Sequence, residues 1–155
     1  MNATSSAPAL RVRPFEEADE PAVIALWQAC GLTRPWNDPA RDVARKLGVQ
    51  REGFLVGEAG GRLVATAMTG WDGHRGAVWY LGVHPDARGR GHGRALMRAV
   101  ERHLADAGCP KLNLLVRRGN EAALAFYRRL GYVEEEVVCV GRRLVEDGTA
   151  GPAAP

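Results

Sequence analysis

The residues most able to do chemistry stand together in the run Arg88-Gly89-Arg90-Gly91-His92-Gly93-Arg94, between an apolar segment that ends at Val83 and a helical pattern marked by Leu96, Val100 and Leu104. A strand that turns through glycines into a helix presents unpaired N–H groups and the positive end of the helix dipole. Glycines 89, 91 and 93 let the main chain approach an anion closely, and Arg88, Arg90 and Arg94 add positive charge. A diphosphate fits such a loop. The run lacks the GxxxxGK[ST] of nucleoside triphosphatases, and its glycine spacing is not the GxGxxG of dinucleotide-binding folds. Taken alone, it is also compatible with a solvated surface turn or an RNA-contacting loop.

Such a loop needs elements to hold it. Leu10 to Arg13 reads as a short strand, and Asp19 as the cap of a helix to Ala29 with Val23, Leu26, Trp27 and Cys30 at helical spacing. Asp38-Pro39 is a cap and first-turn pair that opens a second helix to about Val49. Phe54 to Ala59 and Leu63 to Gly70 flank Gly60-Gly61, a hairpin signal. Ala77 to Val83 is a further strand, and the helix after the glycine loop stops at Gly108 and Pro110. Leu112 to Val116 predicts a buried strand and Glu121 to Leu130 a helix, with Tyr132 to Val138 and Val140 to Leu144 as a closing hairpin. The resulting order, β-α-α-β-β-β-α-β-α-β-β, is an α/β domain with a mixed central sheet of about seven strands and about four helices. It spans residues 10–147, between tails at 1–9 and 148–155 rich in small residues and proline.

The bulk composition narrows the classes. A chain of 155 residues suits one domain. Its 46% apolar and 25% charged residues are ordinary for a soluble protein, and no run reaches the ~18 apolar residues of a membrane span. With neither a basic start nor an apolar run at its beginning, the chain is expected to be cytoplasmic. Cys30, Cys109 and Cys139 lack paired spacing, which argues against a disulfide framework or a zinc site and for small core residues; no metal is expected. A net charge of +3 does not call for a nucleic-acid partner, and the arginine run lacks the interleaved aromatics that stack bases.

The order Leu81-Gly82-Val83-His84-Pro85, then Arg-x-x-Gly-x-Gly, a helix, a strand, Asn120 and, seven residues on, Tyr127 resembles the GNAT family of acyl-CoA N-acyltransferases, whose signature is Gln/Arg-x-x-Gly-x-Gly/Ala. The likeness is strong over Ala77 to Tyr132. Arg34-Pro35-Trp36-Asn37-Asp38-Pro39 and Trp71-Asp72-Gly73-His74-Arg75-Gly76 look like its YpeA-like branch. The resemblance implies a GNAT-type fold and acetyl transfer from acetyl-CoA to a primary amine by direct attack. The acceptor would be a small molecule, a protein N-terminus or a lysine; nucleic acid and membrane are not implied, and a homodimer stays open. Gly89 to Arg94 would anchor the pyrophosphate, with Arg88 beside it. The main chain at Leu81, Gly82 and Val83 would pair with the pantetheine arm and place an N–H toward the thioester carbonyl.

The resemblance also gives Asn120 a contact with the pantetheine amides, beside its ordinary use as a helix cap, and makes Tyr127 the general acid for the departing thiolate. Tyr127 sits nearly two turns beyond Asn120, on about the same helix face and ~10 Å along the axis; it can equally be a core aromatic beside Leu124 and Phe126. The strand glutamate that serves relatives as base does not carry over, because Ala77 and Leu115 occupy those positions. Asp72, His74 and His84 are local candidates, although Asp-Gly-His is also ordinary turn chemistry. Trp36 and Asn37 fall where relatives line the acceptor pocket, and Arg75 beside His74 hints at a carboxylate on the acceptor. A module that binds acyl-CoA without transferring the group is the rival from another class.

Overall fold

The computed structural model describes residues 8–148. The chain runs β1 (Arg11–Pro14), α1 (Glu20–Ala29), α2 (Pro39–Leu47), β2 (Phe54–Ala59), β3 (Arg62–Trp71), β4 (Gly76–Val83), α3 (His92–Asp106), β5 (Leu112–Asn113) and α4 (Glu121–Arg129). The sheet order is the chain order, antiparallel from β1 to β4 and parallel between β4 and β5. Short turns impose the antiparallel part: Gly60 and Gly61 take φ of 58° and 74° between β2 and β3. The crossover through α3 imposes the parallel step.

Two apolar clusters sandwich the sheet. On one face Val23 and Trp27 of α1 and Val43 of α2 pack with Phe54, Val56 and Met68. On the other, Leu96, Val100 and Leu104 of α3 pack with Leu55, Ala65, Ala67 and Val78. Asp38 caps α2 as expected, accepting from Ala40 N at 2.9 Å and Arg41 N at 3.3 Å. Asp19 stands at the N-terminus of α1 but does not cap it with its side chain. Its carboxylate is drawn off by the Arg13 guanidinium at 2.7 and 2.9 Å, a two-pronged charged contact stronger than a neutral cap.

The pairing of β3 with β4 is uneven. Thr66 pairs with Gly82 and Met68 with Trp79, so Tyr80 and Leu81 together face Ala67. This is a β-bulge, and Tyr80 takes φ of 52°, the left-handed region that a bulky side chain rarely enters. On the other side, β5 pairs with only Gly76 and Ala77. From Val78 onward β4 has no strand partner at that edge.

The sheet therefore has five strands among the described residues, not seven. Tyr132–Val138 and Val140–Leu144 form no strand, and Val133, Val137, Val138, Val140 and Leu144 are all at least 75% exposed. The valines have strand propensity, but a two-residue β5 offers no ladder on which to extend the sheet. Ion pairs and hydrogen bonds hold this segment instead: Glu134 with Arg128, Glu135 with Lys111 and Asn113, and Arg143 with Asn37 at 2.7 Å. Cys139 lies exposed on it, not in the core, whereas Cys30 and Cys109 are half-buried.

Asp147 fastens the end of that segment. It is buried, pairs with Arg45, and accepts from Asp38 N at 2.7 Å. Arg45 first, and then the Asp38 N–H, hold its carboxyl down to about 2. A lowered folded-state value means the attachment contributes fully above the ordinary aspartate range near pH 4 and fades as pH falls through about 2. Asp147→Asn should be less stable than the parent at pH 6 in urea melts, and the difference should shrink steadily as the pH is lowered from 4 towards 2. A gap that stays constant over that range would refute the pairing.

Candidate active site

The glycine loop closes over the end of β4. Gly89 and Gly91 adopt φ of 75° and 80°, and a Cβ built on either meets nothing within 4 Å, so the main chain at both points is open to a ligand. Gly91 is the N-cap of the fifteen-residue α3, and among the described residues no side chain caps its first N–H groups. His92 is buried, and its Nε2 lacks a hydrogen-bond partner among the described residues. Arg90 and Arg94 are exposed and hold no ion pair there, which leaves their charge for an incoming anion. Arg88 is already committed: its Nε donates to Val83 O at 2.9 Å and ties strand end to loop. Gly93 faces the other way, where a Cβ would stand 3.1 Å from Phe126 of α4.

That contact brings α4 against the loop. Asn120 caps α4, its Oδ1 accepting from Ala123 N at 3.2 Å, while its amide N–H groups remain available. The Tyr127 ring lies edge-on to Phe126 and Tyr132 at 5.1 and 5.6 Å. Its hydroxyl takes no hydrogen bond among the described residues, and burial alone pushes it up to about 12. The phenol stays neutral across the physiological range, with a proton to donate.

Leu81, Gly82 and Val83 line the unpaired stretch of β4. Gly82 is buried, a Cβ there falling 3.0 Å from Leu32 and 3.2 Å from Cys30 Sγ, which shows how tightly the loop after α1 closes on the strand. Cys30 Sγ lies 3.3 Å from Val83 O. On the α1 and α2 side of the bulge, the Tyr80 ring stacks on Trp27 at 3.9 Å and its hydroxyl donates to Asp42 Oδ2 at 2.6 Å. Burial first, and then Asp42, raise the Tyr80 phenol well above its ordinary value.

The remaining candidates are dispersed. Asp72 Oδ1 accepts from His74 N and Arg75 N, both at 2.8 Å, so Asp72 serves the β3–β4 turn and its carboxyl is lowered by those N–H groups. Asp72 and His74 lie beyond Gly76, five strand residues or ~16 Å from Leu81. His84 is paired with Asp86 at the far end of β4. Trp36 is 49% exposed and Asn37 is held by Arg143. Among the described residues no His, Cys, Asp and Glu cluster suits a metal. The sequence reading did not single out Tyr80, Thr66 or Asp42; the register of β3 against β4 sets Thr66 near Tyr80, and no local signal points to Asp42.

The family model described as Acetyltransferase (GNAT) family matches residues 15–132, most of the chain. The chain belongs to the GNAT acetyltransferase family. A protein named acetyltransferase in Yersinia enterocolitica is 47% identical over 138 residues, 89% of this chain and 98% of that one. Among solved structures, a putative acetyltransferase from Agrobacterium tumefaciens superposes with a TM-score of 0.70 at 25% identity, over 86% of this chain and 99% of that one. The ribosomal-protein-S18-alanine N-acetyltransferase of Escherichia coli gives 0.69 at 26%, over 82% and 79%. This GNAT protein is thus an acyltransferase, with the family's signature on the loop that the structure leaves open. No helix among its described residues is long and apolar enough to cross a membrane.

If the open loop is the anion site, its glycines cannot be replaced by branched residues. Gly91→Val should weaken CoA binding by roughly 10- to 100-fold in isothermal titration, because the loop must leave its left-handed conformation or bear ~1–3 kcal/mol of strain, and any strain kept in the folded state should lower the melting temperature by a few degrees. Unaltered affinity would exclude the loop.

Proposed function

We propose that this GNAT protein transfers the acetyl group of acetyl-CoA to a primary amine by direct attack. The observation that carries the proposal is the half-buried Tyr127 phenol, neutral and with no hydrogen-bond partner among the described residues, on a helix whose Phe126 packs against Gly93 of the glycine loop. Arg90, Arg94 and the N–H groups from Gly89 to Gly93 hold the pyrophosphate. The unpaired edge of β4 guides the pantetheine arm, and the amide of Asn120 at the start of α4 contributes a donor to it. A main-chain N–H at the bulge faces the thioester oxygen, where a well-placed donor is worth ~3 kcal/mol. Tyr127 gives its proton to the thiolate as the carbon–sulfur bond breaks, the new amide nitrogen sheds its second proton to water, and the tyrosinate is reprotonated from water. Acetyl-CoA supplies the acyl group when bound, and the residues of the loop, the strand edge and α4 fit it.

The absence of a strand carboxylate bears on the acceptor. With Ala77 and Leu115 at those positions, the amine reaches the carbonyl after losing its proton to water. An alkyl amine has a pKa near 10.4 and a chain-terminal α-amine near 7.7–8.0, so the α-amine is spared ~3.4 kcal/mol of deprotonation at neutral pH. An acceptor with an α-amine, free or at a peptide N-terminus, suits this site better than lysine.

Thiol release from acetyl-CoA, followed over a panel of peptide N-termini, amino acids, polyamines and aminoglycosides, tests the proposal. With the best acceptor, kcat/KM should climb with pH to the amine's own pKa. It should show no falling limb below about pH 11, because Tyr127 keeps its proton up to about 12. Tyr127→Phe should lower kcat by ~100-fold with KM for acetyl-CoA nearly constant. CoA binding without thiol release for any amine would leave an acyl-CoA-binding module as the function, and no CoA binding would defeat both.

A further inference from the structure

Acetyl transfer by this route needs a main-chain N–H held at one angle, and β4 by itself does not hold it. Beneath the bulge, Trp27 Nε1 donates to Thr66 Oγ1 at 2.9 Å, and Thr66 Oγ1 donates to Tyr80 O at 2.9 Å. Trp27 and Thr66 are both fully buried, with relative exposures of 0%. The direction of the chain is forced. An indole N–H only donates, so Thr66 must accept it, and its single hydroxyl proton is left for the Tyr80 carbonyl.

The Tyr80–Leu81 peptide is trans, as are all the described peptides, and a trans unit points its C=O and N–H opposite ways. A carbonyl drawn towards Thr66 therefore turns the Leu81 N–H away from Thr66, off the α1 and α2 face. Tyr80 is held on two further sides, by its ring on Trp27 and its hydroxyl on Asp42, so the peptide has little freedom to rotate.

We propose that Thr66 is the positioning residue of the transfer reaction, aiming the Leu81 N–H at the thioester oxygen through its hydrogen bond to the Tyr80 carbonyl, with Trp27 setting the direction of that bond. The inference rests on the acetyl-CoA function and assigns it a residue on the opposite face of the sheet from the donor loop.

The test uses acetyl-CoA carrying carbon-13 at the thioester carbonyl, observed by isotope-edited infrared spectroscopy on the intact protein, beside steady-state kinetics. The parent should move the bound carbonyl band to lower frequency than in free acetyl-CoA. Thr66→Val removes the hydroxyl at nearly constant volume and leaves the Trp27 N–H and the Tyr80 carbonyl unpaired, at some cost in stability; it should lose that displacement and lower kcat by ~10- to 100-fold, with KM for acetyl-CoA changed less than about twofold. Thr66→Ser, which keeps the hydroxyl, should restore both. A merely structural role would lower melting temperature in Thr66→Val and leave the band and kcat of the folded fraction alone, and that result overturns the proposal. Should Thr66→Val not fold, Trp27→Phe carries the test: it keeps a ring against Tyr80 and frees the Thr66 hydroxyl, so the band should broaden and kcat fall by a few-fold. An unchanged band and kcat there would also overturn it. A parent that displaces the band but releases no thiol with any amine would sink the transfer function and leave the aiming of the N–H intact, whereas a parent that binds acetyl-CoA with an undisplaced band would sink the aiming alone.

Discussion

The site depends on one peptide unit that does not follow the sheet. Tyr80 sits at φ 52°, a conformation that costs a bulky residue ~1–3 kcal/mol. Three contacts offset that cost: the ring on Trp27, the hydroxyl on Asp42, and the carbonyl on Thr66. A hydrogen bond to a charged group contributes ~1.5–3 kcal/mol and a neutral one ~1 kcal/mol, so the contacts are of the right size to hold the strain. The consequence is mechanical. A bulge bends its strand, and β5 stays beside β4 only at Gly76 and Ala77. The gap beside β4, the one proposed to take the pantetheine arm, is the far side of the same distortion.

The second arm of the site is built on firmer ground. Leu96, Val100 and Leu104 seat α3 on the sheet, so its N-terminus cannot drift relative to β4. Arg88 bridges the two directly by binding the last carbonyl of the strand. Phe126 then closes α4 onto Gly93, where any larger side chain would push the helices apart. Arg88 and Phe126 thus place the glycine loop beside the strand edge and beside Tyr127, the alignment that a transfer reaction requires.

Local chemistry explains which parts could be read from the sequence. Gly60-Gly61, Asp38-Pro39 and the apolar spacing of α3 state their structure within a few residues, and each stands where it was expected. The glycine-arginine loop and the Asn120–Tyr127 spacing are equally local. Asp19 carried a valid cap signal, but Arg13, six residues earlier and on a different element, competed for its carboxylate. The bulge had no local signal at all: Gly76 to Val83 reads as one even strand, and the extra residue shows only when β3 is laid beside it. The valines after Tyr132 failed in the opposite way. Their propensity was plain, and the partner strand they needed was too short.

The bulge peptide also explains why the two halves of the site can be considered separately. Its carbonyl belongs to the buried chain from Trp27 through Thr66, and the proposed route gives its N–H to the side that would receive the thioester. On the proposed route, side chains around the acceptor are not required to stabilise the oxyanion, because the main chain would do so. They need only admit an amine and exclude water. Ala77 and Leu115 fit that division: neither can accept a proton, and the proposed route leaves deprotonation to the acceptor's own basicity. What remains specific is the link across the sheet. A substitution in α1 that never touches a ligand can still turn the Tyr80–Leu81 peptide, and through it change the rate of the chemical step while leaving the binding of CoA as it was.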